Sequence, residues 1–183
     1  MPEEKLAFKG VFWKIYQWEQ EMFDGSVKTF ERAVRPSYVG VIAEADGRIL
    51  YCKQEQPGSA PFLAVFGGGV DEGDEPLQTA KRELLEESGY ASDDWTLLST
   101  NRMLAKRMDF TVYIYLARGC KKVAQQNLDA GEKIEILSAS IDEFVDLIGR
   151  PEWREKTITD MFYGALDPTK VEGFKDLIKN NKG

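Results

Sequence analysis

The sequence predicts an α/β (α+β) protein, a mixed β-sheet with helices packed on it. Three observations lead there. Short runs rich in β-branched and aromatic residues, such as YVGVIAEA and DFTVYIYLARG, are bounded by Gly, Asp and Pro. Residues Glu75 to Ser88 instead space Leu77, Ala80, Leu84 and Leu85 at about 3.6 residues, so that one stripe faces a core. The last thirty or so residues read as two further short helices separated by Asp167-Pro168.

Taken in order, GVFWKIYQWEQEM (residues 10–22) and SVKTFERAV (26–34) flank Asp24-Gly25, a step that favours a hairpin turn. Tyr38–Ala43 and Ile49–Lys53 form a second pair around Ala45-Asp46-Gly47. PGSAP (57–61) is a loop, and FLAVF (62–66) a short strand leading into Gly67-Gly68-Gly69. Pro76 suits a first helical turn and Gly89 a C-terminal cap. WTLLST and DFTVYIYLARG are further strands, and KIEILSAS runs into a helix, IDEFVDLIG, opened by Ser140 or Asp142.

At 183 residues and 43% hydrophobic, the chain can close one sizeable core, with room for an appended terminal element. A formal charge of -7 offers no electrostatic footprint for nucleic acid. The chain has no histidine, which excludes Ser-His-Asp and Cys-His catalysis and His-ligated zinc. Base chemistry falls to Glu, Asp, Lys or Tyr. Two distant cysteines imply neither a disulfide framework nor a zinc site, and no run approaches the ~20 apolar residues of a membrane span. A reduced, cytoplasmic setting is expected, without a membrane anchor.

Glu83, Glu86 and Glu87 stack along one side of the central helix, although like charges at that spacing cost roughly 0.2–0.5 kcal/mol per pair. Arg82 reaches Glu86 at i+4 but leaves the other two unbalanced. Three glycines just upstream bring bare backbone to the helix. Carboxylates together with a loop carbonyl make the all-oxygen set that Mg²⁺ and Mn²⁺ prefer, Mg²⁺ commonly bridging carboxylates to substrate phosphates.

This segment resembles the box of the Nudix hydrolases, G-x5-E-x7-R-E-U-x-E-E-x-G-U with U bulky and apolar. Here it reads Gly68, five residues, Asp74, seven residues, then Arg82-Glu83-Leu84-Leu85-Glu86-Glu87-Ser88-Gly89-Tyr90, with Asp74 in place of the first glutamate. The resemblance implies a Nudix fold, its mixed sheet sandwiched between helices. It further implies Glu83, Glu86 and Glu87 as metal ligands, joined by the carbonyl of Gly67 or Gly68, with Arg82 positioning the carboxylates. The cofactor expected is Mg²⁺, with Mn²⁺ as the alternative.

Outside the box the chain is similar to the ADP-ribose and nucleotide-sugar pyrophosphatases over about residues 8–148. The shared layout is a β-rich extension, then Glu31-Arg32-Ala33-Val34-Arg35-Pro36, then Gly68-Gly69-Val70-Asp71-Glu72-Gly73 before the helix. It implies an extension over 1–37, a catalytic domain over 38–183 and a homodimer that exchanges the extension. Arg35 and the aromatics Phe12, Trp13, Tyr16 and Trp18 are then candidates for the substrate pocket. Glu132 occupies the place of the general base, with Asp129 and Glu135 as neighbouring competitors.

Two departures leave the substrate open. Ala105-Lys106-Arg107 stands where such enzymes usually carry a proline, and Gln54-Glu55-Gln56 where an arginine is usual. Lys106 and Arg107 are candidates to supply the missing charge to the distal phosphate or sugar. The expected reaction is hydrolysis of a nucleoside diphosphate sugar, GDP-mannose or ADP-ribose, to a nucleoside monophosphate and a sugar phosphate. The alternatives are a nucleotide sensor without turnover and a nucleoside triphosphate or dinucleoside polyphosphate hydrolase.

Overall fold

A computed structural model describes residues 3–102, 107–163 and 168–179. In chain order its elements are β1 (Lys5–Lys9), β2 (Lys14–Glu21), β3 (Val27–Val34), β4 (Ser37–Ala45), β5 (Arg48–Glu55), β6 (Phe62–Ala64), β7 (Phe66–Val70), α1 (Pro76–Ser88), β8 (Tyr90–Ala91), β9 (Asp94–Arg102), β10 (Met108–Asp109), β11 (Thr111–Arg118), β12 (Lys121–Lys122), β13 (Lys133–Ala139), α2 (Ile141–Leu147), α3 (Lys156–Tyr163) and α4 (Pro168–Lys179).

The central sheet runs β13-β5-β4-β11-β9, with β6 on β5 and β7 on β4. Side chains alternate across it, as strand geometry requires. Val39, Val41 and Ala43 of β4 and Tyr115 and Ala117 of β11 face the cluster under α1, where Ala80 and Leu84 are fully buried. Ile42, Ile114 and Leu116 face the opposite cluster, with Phe144 of α2, Ile158 of α3, and Phe174 and Ile178 of α4. The result is a helix–sheet–helix sandwich. Phe144 and Trp153 meet edge to face at 5.5 Å beneath it.

The sheet forks beside β4. Ser37–Val41 pair with β7, whereas Ala43–Ala45 pair with β5, whose far half carries β6 instead. The fork places Gly67 on one prong and Gln54 on the other. A second sheet, β1-β2-β3-β10, is built from residues 5–34 and takes its fourth strand from residues 108–109.

Several boundaries differ from expectation. Residues 10–13 turn rather than extend, and the first strand lies earlier, at β1. FLAVF breaks at Val65, and β7 runs through the three glycines instead of stopping before them. Leu85 is 38% exposed and belongs to no core stripe. Ser140 opens α2 with a full capping box, its hydroxyl accepting from the Glu143 N–H and the Glu143 carboxylate from the Ser140 N–H at 2.7 Å. The hairpin turn at Asp24-Gly25 and the α1 limits agree with the sequence. Among the described residues, no helix is long and apolar enough to cross a membrane.

Candidate active site

α1 ends at Gly89, whose left-handed φ of 69° and N–H bond to the Leu85 carbonyl at 2.7 Å close the last turn. A Cβ there would stand 2.2 Å from the Ala124 carbonyl oxygen, so only glycine fits. Residues 122–127 wrap the remaining carbonyls of this end. Asn127 N–H donates to Glu86 O at 2.8 Å, Gln126 Nε2 to Glu87 O at 2.7 Å and Lys122 Nζ to Ser88 O at 2.5 Å.

The packing of Ala80 and Leu84 against the sheet turns Glu83 and Glu87 toward β7. Glu83 lies directly under Gly68, where a Cβ would approach its carboxyl atoms to 2.6–2.7 Å. Glu87 is 2% exposed and fills the fork of the sheet. Its Oε2 accepts from the Gly67 N–H at 2.7 Å and its Oε1 from Gln54 Nε2 at 3.0 Å. Burial pushes the Glu87 carboxyl up to about 9; the charges of Glu83 and Glu132 add to this, and the Gly67 N–H opposes it. Glu83 is raised too, chiefly by burial and in part by Glu86 and Glu132, while Arg82 pulls it down.

Arg82 fans across the open side. Its Nη1 reaches Asp74 at 3.3 Å, its Nη2 Glu83 at 3.3 Å and its Nε Glu86 at 3.8 Å. Asp74, which stands where the box has its first glutamate, is thus a partner of Arg82. Among the described residues, no three of these side chains yet surround a single point where one ion would sit. Glu83 and Glu86 share Arg82, whereas Glu87 turns to Gln54 and the Gly67 N–H. Their chemistry nevertheless fits a hard divalent cation: oxygen donors only, bare backbone at Gly68, and a carboxyl, Glu87, that a cation would return to its charged form.

Glu132 lies in the loop before β13 and contributes its charge to both Glu83 and Glu87. Its Oε2 accepts from the Asp129 N–H at 3.3 Å. Glu135 is on β13 itself, alternating with buried Ile134.

Beside Val70 and Asp71 opens a cavity of about 600 Å³, lined among others by Phe12, Lys14, Arg35, Pro36, Glu72 and Tyr113. That is the size of a small-molecule site. The Arg35 guanidinium is held between the Phe12 and Phe110 rings, 4.7 Å from each centroid. Burial lowers its pKa below the ordinary value. Lys14 and Glu72 pair at 2.9 Å between the extension and the loop before α1.

The structure therefore brings together Gly67, Arg82, Glu83, Glu86, Glu87 and Glu132, and places Arg35 in the adjoining cavity. Trp13 does not line that cavity; it packs edge-on against Phe12, which does, at 5.3 Å. Arg107 is exposed with its guanidinium 6.0 Å from the Phe30 ring, and its carbonyl accepts from the Ala33 N–H, so it serves the second sheet rather than the cavity. Lys106 lies outside the described residues. Sequence reasoning missed Gln54, though it continues the inward phase of Leu50 and Cys52, and a polar residue at an inward position is a signal. Gln126 carried no such signal.

The NUDIX domain family matches residues 34–161, well over half of the chain. The chain belongs to the Nudix family of hydrolases. It is 27% identical over 148 residues to an ADP-ribose pyrophosphatase of Bacillus subtilis (strain 168), covering 79% of this chain and 80% of that one. It is 28% identical over 156 residues to a methanol dehydrogenase activator of Bacillus methanolicus, covering 84% and 82%. A crystal structure of an ADP compounds hydrolase superposes with a TM-score of 0.71 at 17% identity, covering 98% of this chain and 94% of the other, a likeness of fold.

Proposed function

We propose that this enzyme hydrolyses the diphosphate bond of a nucleoside diphosphate sugar, with ADP-ribose ahead of GDP-mannose as substrate and Mg²⁺, or Mn²⁺, as cofactor. The observation that carries the reading is the juxtaposition of Glu83 under Gly68 and Glu87 on the Gly67 N–H, Glu86 beside them on the same helix, with a nucleoside-sized cavity at the end of the same strand. The similarity to an ADP-ribose pyrophosphatase over four-fifths of both chains supports the choice of ADP-ribose.

Glu83, Glu86 and Glu87 would hold the cation, which when bound supplies charge neutralisation of the diphosphate and acidifies water. Arg82 keeps Glu83 and Glu86 aligned when substrate is absent. Phe12 and Arg35 take the nucleoside side in the cavity. Glu132 accepts the proton of the attacking water. The new phosphorus–oxygen bond forms from that water, the bridging oxygen departs with the other phosphate, and a nucleoside monophosphate and a sugar phosphate result. A cytoplasmic homodimer built through residues 1–37 suits the apolar side chains that the extension exposes, among them Leu6, Phe8 and Val11.

The experiment is a panel of ADP-ribose, GDP-mannose, ATP and diadenosine polyphosphate incubated with Mg²⁺ or with chelator, the products separated by chromatography. AMP and ribose 5-phosphate in the Mg²⁺ arm alone are expected. Binding without product would establish the sensor alternative, and preferential cleavage of ATP the triphosphatase one.

A further inference from the structure

We propose that Gln126 is a positioning residue for Glu132, fixing the 127–132 loop to the carboxylate helix and so setting where the base stands; this rests on the reading of Glu132 as base. One Gln126 nitrogen, Nε2, donates both of its protons. The first goes to the Glu87 carbonyl at 2.7 Å and the second to the Ile134 carbonyl at 3.2 Å. Those carbonyls belong to the last turn of α1 and the start of β13, the two elements between which the base loop is strung.

The loop is thereby closed by a single side chain. Asn127 N–H fastens its first residue to Glu86 O at 2.8 Å. Within it, Glu132 N–H donates to Asp129 O at 2.9 Å, and the Glu132 carboxylate accepts from Asp129 N–H at 3.3 Å. One carboxylate oxygen of Glu132 is thus committed to its own loop, and the Glu132 charge acts on both Glu83 and Glu87.

The helix does not depend on Gln126. Its end is also held by Lys122, Val123, Ala124 and Asn127, and by the Gly89 cap. Loss of Gln126 therefore acts on the loop, not on the carboxylates. A base displaced by about an ångström costs on the order of a hundredfold in rate.

The test compares Gln126→Leu, Glu132→Gln and the double variant in ADP-ribose hydrolysis, in Mn²⁺ affinity of the metal-free protein by electron paramagnetic resonance, and in amide exchange of residues 127–132. Expected for Gln126→Leu is a kcat lower by about ten- to a hundredfold with KM and Mn²⁺ affinity within about threefold, and faster loop exchange. In the Glu132→Gln background the same change should cost less than about twofold, since the two residues act as one unit. An unchanged kcat, a parallel loss of Mn²⁺ affinity, or full multiplication of the two losses overturns the inference. Wild-type activity of Glu132→Gln alone removes the base assignment itself, whereas a slowed Glu132→Gln with multiplied losses removes only the role of Gln126.

Discussion

Gln54 Nε2 donates to Glu87 Oε1 at 3.0 Å across the fork of the central sheet, from one prong to a carboxyl that the other prong grips through the Gly67 N–H. A neutral amide and a backbone N–H thus hold the most buried acid of the site. Neither carries a positive charge that would compete with a cation. This arrangement keeps Glu87 in place without committing it to the ionised form.

The consequence for stability has a definite sign. Glu87 is raised from an ordinary value near 4.5 to about 9 when folded, so its contribution is fully present below 4.5 and is lost as pH rises toward 9. Metal-free protein should lose on the order of 4 kcal/mol through this group between pH 5 and 8. Glu87→Gln reproduces the protonated shape and should abolish that loss. The variant is expected to melt above wild type at pH 8 without metal, to gain nothing from Mg²⁺, and to hydrolyse ADP-ribose at least about a hundredfold more slowly. Chemical denaturation of both proteins at several pH values checks it; coincident curves would contradict the burial of Glu87.

Neighbouring glycines should fail in different ways. At Gly67 the φ of 154° and a Cβ only 2.0 Å from the Val39 carbonyl oxygen put the clash in backbone, so Gly67→Ala should destabilise by about 3 kcal/mol or more. At Gly68 the obstacle is the end of the Glu83 side chain, which can swing away. Gly68→Ala should therefore fold with Tm close to wild type yet bind Mn²⁺ at least about tenfold more weakly, because Glu83 is displaced. Thermal melts beside Mn²⁺ titrations separate the two, and equal melting losses would refute the distinction.

Much of this was readable in advance for identifiable reasons. The α1 pattern, with Pro76 before it and Gly89 after, carries its own start and stop chemistry, and its carboxylate spacing is fixed by helix geometry alone. The strand through Gly67-Gly68-Gly69 was not readable, because glycines have low strand propensity and only the ladder to β4 makes them extend. Trp13 and Phe12 are adjacent and chemically alike, and which of them faces the cavity depends on the turn at residues 10–13, a tertiary detail. Gln126 acts through a carbonyl 39 residues away, which no local pattern encodes, and for Gln54 the sequence shows the inward position but not the partner 33 residues on.

Substrate affinity should respond to the Arg35 stack. With the guanidinium 4.7 Å from both Phe12 and Phe110, Arg35 is held rigid at the wall of the cavity. Arg35→Ala should raise KM for ADP-ribose by about ten- to a hundredfold with kcat changed far less, the signature of lost uniform binding. Phe12→Leu should give a smaller rise, about threefold, since each cation–π contact is worth roughly 0.5–2 kcal/mol and one ring remains. Steady-state kinetics on the two variants decide it; a fall in kcat at constant KM would place Arg35 in the chemistry instead.

Asp109 joins the second sheet to the first. Its carboxylate takes Arg102 Nε and Nη2 at 2.9 Å each, and Arg32 Nη1 from β3 at 2.8 Å. The bonds from Arg102 lead in holding its pKa below the ordinary value, with the Arg32 charge adding to them. A depressed carboxylate contributes stability above its unfolded value near 4, and that contribution disappears as pH falls through the folded value. Arg32 sharpens the effect, because its Nε is buried without a hydrogen-bond partner among the described residues and loss of Asp109 would leave a second donor facing a neutral group. Asp109→Asn should cost about 2 kcal/mol at pH 7 and progressively less as pH falls from the unfolded value near 4 toward the depressed folded one. It should also speed protease cleavage between β3 and β4, since the parallel pairing of Met108 with Ala33 and Asp109 with Val34 spans only two residues on each strand. Denaturation at pH 7 and pH 3 with limited proteolysis tests both parts, and a penalty that persists undiminished at pH 3 would show that packing, not charge, makes the junction.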